Sequence, residues 1–203
     1  MSEDTLEIIE SFYPTAYTLG DVGEVLTASV LRNSCDMQVI RNVYLPVDDH
    51  FMEIDMIALS PLGVFVVENK NYSGLVSGSY NDKAWKVLYG IEHIETLSNP
   101  IVQNLRHKNR VIDILKLYDF YNIPVFQPVI FNDKTQLNLK NCEKYVFSLS
   151  EFADTYNQVK SRGTISDETL SELSYLFKRY SNCSDEMKRL HKFLLNSENR
   201  RML

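Results

Sequence analysis

Cysteine is scarce in this chain of 203 residues: there are three, Cys35, Cys142 and Cys183, set far apart. An odd, scattered set excludes a closed disulfide framework and a CxxC-type zinc site, and it fits a reducing cytoplasm. Buried thiols are the expectation for all three. No apolar run approaches the roughly 18 residues that a membrane span needs, so no membrane partner is expected. The opening Met-Ser-Glu-Asp lacks the basic and then apolar order of a secretory signal. Internal repeats, low-complexity tracts and Gly/Ser-rich linkers are also missing. Nor is there an excess of positive charge. The chain has 21 Lys and Arg against 27 Asp and Glu, a net −6, which argues against holding nucleic acid by bulk electrostatics. An enzyme with a carboxylate-rich site and a few local phosphate contacts remains compatible with that balance.

What is present suits one globular domain with a sizeable core, since 44% of residues are apolar and 24% charged. Residues 1–19 hold an apolar cluster (Leu6, Ile8, Ile9, Phe12, Tyr13) expected to dock on that core. A helix is predicted over residues 21–31, capped by Asp21, with Val22, Leu26, Ala28 and Val30 covering its buried surface. Three strands follow, over residues 39–45, 51–59 and 64–70. The last two flank Ser60-Pro61-Leu62-Gly63, whose proline second and glycine fourth predict a type I turn. Val64-Phe65-Val66-Val67 is apolar on both faces, as in the centre of a covered sheet. Residues 74–80 and 84–89 would extend that sheet. Asn99-Pro100 opens a helix reaching about residue 119, with Leu105, Ile112, Leu115 and Tyr118 as its apolar stripe. Residues 125–131 read as a buried strand and 145–148 as a short one. From Ser150 onward the spacing is helical, through Leu170, Leu173, Phe177 and Tyr180 and then Met187, Leu190 and Leu194.

A hairpin symmetric about the Pro61–Leu62 bond puts Asp55 directly opposite Glu68. Directly opposed residues have Cβ atoms about 4.5–5.5 Å apart, and like charges placed so are destabilising. Period-two alternation puts Lys70 on the face of Glu68. Two acids and a lysine therefore converge on one patch of a mostly apolar sheet. One reading is a buried ion pair, or acids solvated where the strands splay. The other is a divalent cation, because one lysine does not neutralise two opposed carboxylates in an apolar setting. Two carboxylates, a backbone carbonyl and waters suit Mg²⁺ or Mn²⁺, with the lysine beside the attacking water. Spacing alone leaves both readings open.

Ile54-Asp55-Met56-Ile57 followed by Gly63-Val64-Phe65-Val66-Val67-Glu68-Asn69-Lys70-Asn71-Tyr72-Ser73-Gly74 resembles the core of the nuclease-related (NERD) domain, of the PD-(D/E)xK nuclease superfamily. Gly23-Glu24 on the first helix, Trp85 after the hairpin and Asn99-Pro100-Ile101-Val102-Gln103 match in the family's order, so the resemblance covers roughly residues 20–131. It implies a restriction-endonuclease-like α/β core of order αβββαβ, with a mixed sheet flanked by helices. On that basis residues 20–149 form the nuclease domain and 150–203 a helical extension. It further implies that Asp55, Glu68 and the Asn69 carbonyl hold Mg²⁺ or Mn²⁺, and that Lys70 is the catalytic lysine. Glu24 would hold a second cation or a metal-bound water, or orient Lys70, and Gln103 would support the site. Asn69 departs from the pattern, which has an apolar residue there; its side chain is expected on the opposite face. The activity implied is hydrolysis of DNA, with RNA not excluded, in a setting such as defence against foreign DNA. The alternative is a nuclease-fold subunit acting mainly as a scaffold.

Gln103, Arg106, His107 and Arg110 recur at helical spacing and share a face, either an ordinary solvated one or one set against a nucleic-acid backbone, with Lys83 and Lys86 as further contacts. No strong basic patch exists, since residues 80–120 hold six Lys and Arg against five Asp and Glu. Trp85 is expected in the core rather than stacked on a base. Asp48-Asp49-His50 reads as a turn rather than a metal triplet, and Glu53 as a solvated acid rather than a substitute ligand. His93 and His191 lack partners in sequence. The C-terminal helices are expected to pack on the sheet, or else to serve a homo-oligomer or protein partner.

Overall fold

A computed structural model describes residues 19–48, 50–90 and 93–181. Helix α1 (Leu19–Asn33) leads into a meander of β1 (Gln38–Val47), β2 (His50–Ser60) and β3 (Gly63–Lys70). Three further strands follow: β4 (Leu75–Ser79), β5 (Ala84–Tyr89) and β6 (His93–Ser98). Helix α2 (Pro100–Leu117) returns the chain to β7 (Val125–Phe126) and β8 (Val129–Phe131). Then come β9 (Gln136–Lys140), β10 (Val146–Ser148), α3 (Leu149–Val159), a 3₁₀ turn at Lys160–Arg162, and α4 (Asp167–Ser181). The expected N-terminal cluster, Cys183, His191 and the apolar stripe at Met187, Leu190 and Leu194 lie outside the described residues.

The main sheet has the order β1-β2-β3-β8-β10, with β7 also on β3; its first three strands are antiparallel, and β8 joins β3 and β10 in parallel. One face packs on α1 and α3 through Ala28, Leu31, Met56, Phe65, Val67 and Phe152. The other packs on α2 and α4 through Ile57, Val64, Val66, Val111, Ile114 and Phe177. Apolar residues on both parities of β3 are thus explained by a helical layer on each side. This is the αβββαβ core, a mixed sheet flanked by helices, that the sequence predicts.

Two expectations are corrected. Residues 74–80 and 84–89 do form strands, but they leave the main sheet and build a second one, β6-β5-β4-β9. Its core is Val76, Trp85, Val87 and Leu97, packed against Ile101 and Phe131. Trp85 is buried, as expected, and its indole N–H donates to the Ser79 carbonyl at 2.9 Å. The ring lies where a Cβ on Gly78 would stand 2.2 Å from it, so only glycine fits there. Residues 125–131 are likewise two short strands, because the chain breaks at Gln127-Pro128.

Helix α2 begins as predicted: Asn99 accepts from the Ile101 amide at 3.0 Å, and Pro100 follows. Its buried stripe only partly matches the predicted one: Leu115 is buried and Ile112 half-buried. Leu105 and Tyr118 are exposed, while Ile101, Asn104, His107, Val111, Ile114 and Leu115 face inward. Asn104 earns its buried place by donating to the Val66 and Pro128 carbonyls, both at 2.9 Å. It supplies hydrogen bonds that the β7–β8 break would otherwise leave unmade. Similarly on α1, Leu26 is exposed and Thr27 is buried with Ala28 and Leu31. Asp21 falls within the helix's first turn rather than before it.

Candidate active site

The β2–β3 register is the one that turn symmetry predicts: Ser60 pairs with Gly63, and the ladder continues to Met56 with Val67. Asp55 and Glu68 come next, just where the ladder ends. The β1–β2 ladder also skips this level, pairing Arg41 with Met56 and Val43 with Ile54 around Asn42, whose φ is +53°. Asp55 thus stands at a break on both sides of its strand, and its carboxylate takes the place of the missing backbone acceptor. Its Oδ2 takes the Asn69 backbone amide at 2.8 Å. In an extended strand the N–H and C=O of one residue point to the same side. The Asn69 carbonyl therefore turns toward β2 and Asp55 as well.

Glu68 is buried, with 1% of its surface exposed. Its Oε1 accepts from Lys70 Nζ at 2.6 Å, and Lys70 also reaches Gln103 Oε1 at 3.5 Å. Its Oε2 lies 3.3 Å from His107 Nδ1, but the two are misaligned and neither atom has a hydrogen-bond partner. The Asn69 side chain points to the other face, as expected, and accepts from Thr27 Oγ1 on α1 at 2.7 Å. The structure thus brings Asp55, Glu68, Lys70 and Gln103 together.

His107 is corrected. It shares no exposed face with Arg106; it is buried and turned toward Glu68. The spacing signal was present, since His107 follows Gln103 by one helical turn, so both reach the same strand face. Glu24 is also placed differently from one expectation. It binds Arg41 Nη2 at 3.1 Å, while Lys70 is oriented by Glu68 and Gln103. Arg41 carried no signal in sequence. Gly23 lets α1 approach the residues after β3: a Cβ there would lie 2.7 Å from the Asn71 side chain. Arg106, Lys83 and Lys86 are exposed and Arg110 is half-buried. Glu53 is half-buried and accepts from the Tyr44 hydroxyl at 2.7 Å rather than standing in solvent. Asp48 takes φ +47° beside the Val47–His50 pair, which fits the turn reading; Asp49 lies outside the described residues. His93 has a partner after all, Glu95 at 3.1 Å.

The electrostatics follow from this packing. Burial, and then the Glu68 charge, push the Asp55 carboxyl well above the usual carboxylate range, against the pull of the Asn69 amide. Burial would raise Glu68 too, but the His107 imidazole and Lys70 outweigh it and hold Glu68 low. Burial opposes the Lys70 charge, and Glu68 overcomes that and holds Lys70 high. Glu24 is raised by burial, partly offset by Arg41. With both acids ionised, the Asp55–Glu68–Lys70 cluster is one positive charge short.

A divalent cation fits that deficit. Asp55 keeps part of its surface open, Glu68 has a buried oxygen without a hydrogen bond, and the Asn69 carbonyl faces the same side. Among the described residues no group of three or more His, Cys, Asp or Glu is arranged to hold a metal. Two carboxylates and a carbonyl still suit Mg²⁺, which keeps several of its waters.

An uncharacterized protein of Bacillus anthracis is 30% identical over 115 residues, covering 53% of this chain and 51% of its own length. The chain thus spans about half the length of that curated relative. A crystal structure of a protein of unknown function, AF1548, aligns over 86% of this chain and 95% of its own at 16% identity and a TM-score of 0.34. The family model of the nuclease-related domain matches residues 19–132, and the chain belongs to that family, within the restriction-endonuclease-like PD-(D/E)xK superfamily.

Proposed function

We propose that this chain is a metal-dependent deoxyribonuclease. The observation that carries the reading is the cluster one positive charge short, with Asp55 driven toward protonation beside an ionised Glu68. Asp55, Glu68 and the Asn69 carbonyl would hold Mg²⁺ or Mn²⁺, which supplies Lewis acidity and orientation for phosphodiester hydrolysis when bound. Lys70 would leave its contact with Glu68 Oε1 to hold the attacking water and steady charge on the phosphate. Gln103 keeps the lysine within reach during that exchange. Glu24, neutralised by Arg41, would serve a metal-bound water. Arg106, Lys83 and Lys86 are the proposed phosphate contacts, with Arg110 behind them. RNA shares the same hydrolytic chemistry. Free, buried Cys35 and Cys142 suit a reducing cytoplasm, and no helix among the described residues is long and apolar enough to cross a membrane.

Purified protein is expected to cut DNA once Mn²⁺ is added. Asp55→Ala and Lys70→Ala should abolish cutting while the circular dichroism spectrum keeps its native form. Equal activity in all three proteins would refute the proposal.

His107 is assigned a positioning role: standing 3.3 Å from Glu68 Oε2, it limits how that carboxylate turns toward the cation. Partners of ligating groups typically contribute 10–100-fold to metal affinity. His107→Ala should therefore weaken Mn²⁺ binding by about that factor in calorimetry, and His107→Asn, with an amide near the Nδ1 position, should recover part of it. Unchanged affinity in His107→Ala would remove the role.

A further inference from the structure

A second concavity, of about 340 Å³, opens where α3 meets the break between β7 and β8. None of its lining residues belongs to the cluster around Asp55 and Glu68. Its walls are largely aromatic. Phe65 and Phe126 stack at 4.7 Å, and Phe152 and Tyr156 stand edge-on to Phe65 at 6.0 and 5.8 Å. Its volume falls at the low end of the roughly 300–1,000 Å³ usual for small-ligand pockets. One ring system fits, and a duplex or a helix does not.

The charged groups that line the pocket are both cations, Lys108 and Lys144. Neither has an acidic side chain at ion-pair distance among the described residues. In a chain of net charge −6 this is a local inversion of sign. Aromatic walls with two uncompensated cations call for a planar ring that carries an anion. Gln127 and Thr155 also line the pocket and bring an amide and a hydroxyl to the edge of such a ring. The location ties the pocket to β3. Pro128, in its wall, accepts the Glu68 amide through its carbonyl at 3.1 Å, and Lys108 follows His107 on α2.

We propose that this pocket binds one unpaired nucleotide, its base among the rings and its phosphate on Lys108 and Lys144. The substrate class would then be nucleic acid with a single-stranded end or flap. Choosing a nucleotide among aromatic anions rests on the nuclease reading; the demand for a ring with an anion does not.

Deoxyadenosine 5′-monophosphate titrated into the full chain with EDTA present, so that no cleavage intervenes, tests this by calorimetry. Saturable one-to-one binding is expected. Phe126→Ala and Lys144→Ala should each weaken it about tenfold, deoxyadenosine without its phosphate should bind more weakly, and Asp55→Ala should bind as wild type does. Both changes lie at exposed side chains, so the folded protein is expected to survive them. Absence of saturable binding, or equal affinity in wild type and both variants, overturns the proposal. So does concentration-dependent self-association that Phe126→Ala removes without any nucleotide binding, which would put a second copy of the chain in the groove. Cleavage is scored separately with Mn²⁺. Nucleotide binding without cleavage refutes the nuclease reading and leaves the pocket standing; cleavage without nucleotide binding refutes the pocket alone.

Discussion

Asp55→Asn is expected to stabilise the metal-free protein at neutral pH while abolishing cleavage. Asp55 sits at a break in both neighbouring ladders, and burial and Glu68 raise its carboxyl well above the usual range. The sign follows from linkage. A carboxyl with a raised folded pKa binds more protons in the native state, so its effect on stability is most favourable below the unfolded value, about 3.9. That advantage is lost as pH rises through the folded pKa. Asparagine keeps an oxygen for the Asn69 amide and carries no charge at any pH. Relief of about 1 kcal/mol would raise Tm by roughly 2–4 °C in a domain of this size. In EDTA the variant should therefore melt above wild type at pH 8, and the gap should shrink toward pH 4. A gap independent of pH, or a less stable variant at pH 8, would contradict the assignment. Cleavage in Mn²⁺ should fall by at least about 100-fold, since a metal's contribution of several kcal/mol corresponds to that or more. Both outcomes together would mean that Asp55 is kept for the reaction and not for the fold.

The hairpin carrying Asp55 was legible because its information is local. Ser60-Pro61-Leu62-Gly63 sets the turn, the turn sets the register, and alternation sets the face. The second sheet was not legible for the opposite reason. Its β4–β9 pairing is parallel and joins residues some 60 positions apart, so no turn announces it. Strand β6 buries Leu97 alone and shows no alternation. On α2 the apolar spacing misplaced part of the stripe because two inward positions, Asn104 and His107, are polar. Both have local reasons to be buried: Asn104 ties the Val66 and Pro128 carbonyls together, and His107 faces Glu68. Reading polar residues as surface therefore mislaid a helical side chain that approaches the buried glutamate. The same rule explains Arg41 and Glu24, whose pairing depends on how α1 crosses β1 and leaves no trace in spacing.

Lys70→Met should damage the metal-free fold more than any other change at the site, and metal should repair the fold without restoring cleavage. Lys70 has 16% of its side chain exposed and Glu68 has 1%, and they meet at 2.6 Å. Removing one partner of a buried pair strands the other charge, at a typical cost of 3–5 kcal/mol. The remaining exposure of Lys70 argues for the lower end, about 3 kcal/mol, or roughly 6–12 °C in Tm. The pH dependence is opposite to that of Asp55→Asn. Glu68 is held low by His107 and Lys70 against the pull of burial, so its ionised form contributes stability above the unfolded value, about 4.3, and that contribution is lost as pH falls through the folded pKa. Losing Lys70 removes much of that contribution, so the deficit should be largest at neutral pH and should close in acid. A cation bound between Asp55 and Glu68 would replace the missing charge. At a concentration 100 times its Kd it adds about 2.7 kcal/mol by mass action, enough to recover most of the lost Tm. Cleavage should stay absent, because the charge that stabilises the two acids and the ammonium that serves the attacking water are then separate groups. If Lys70→Met melts with wild type in EDTA, the lysine does not neutralise Glu68. If Mn²⁺ brings cleavage back to the variant, the lysine does not serve the water.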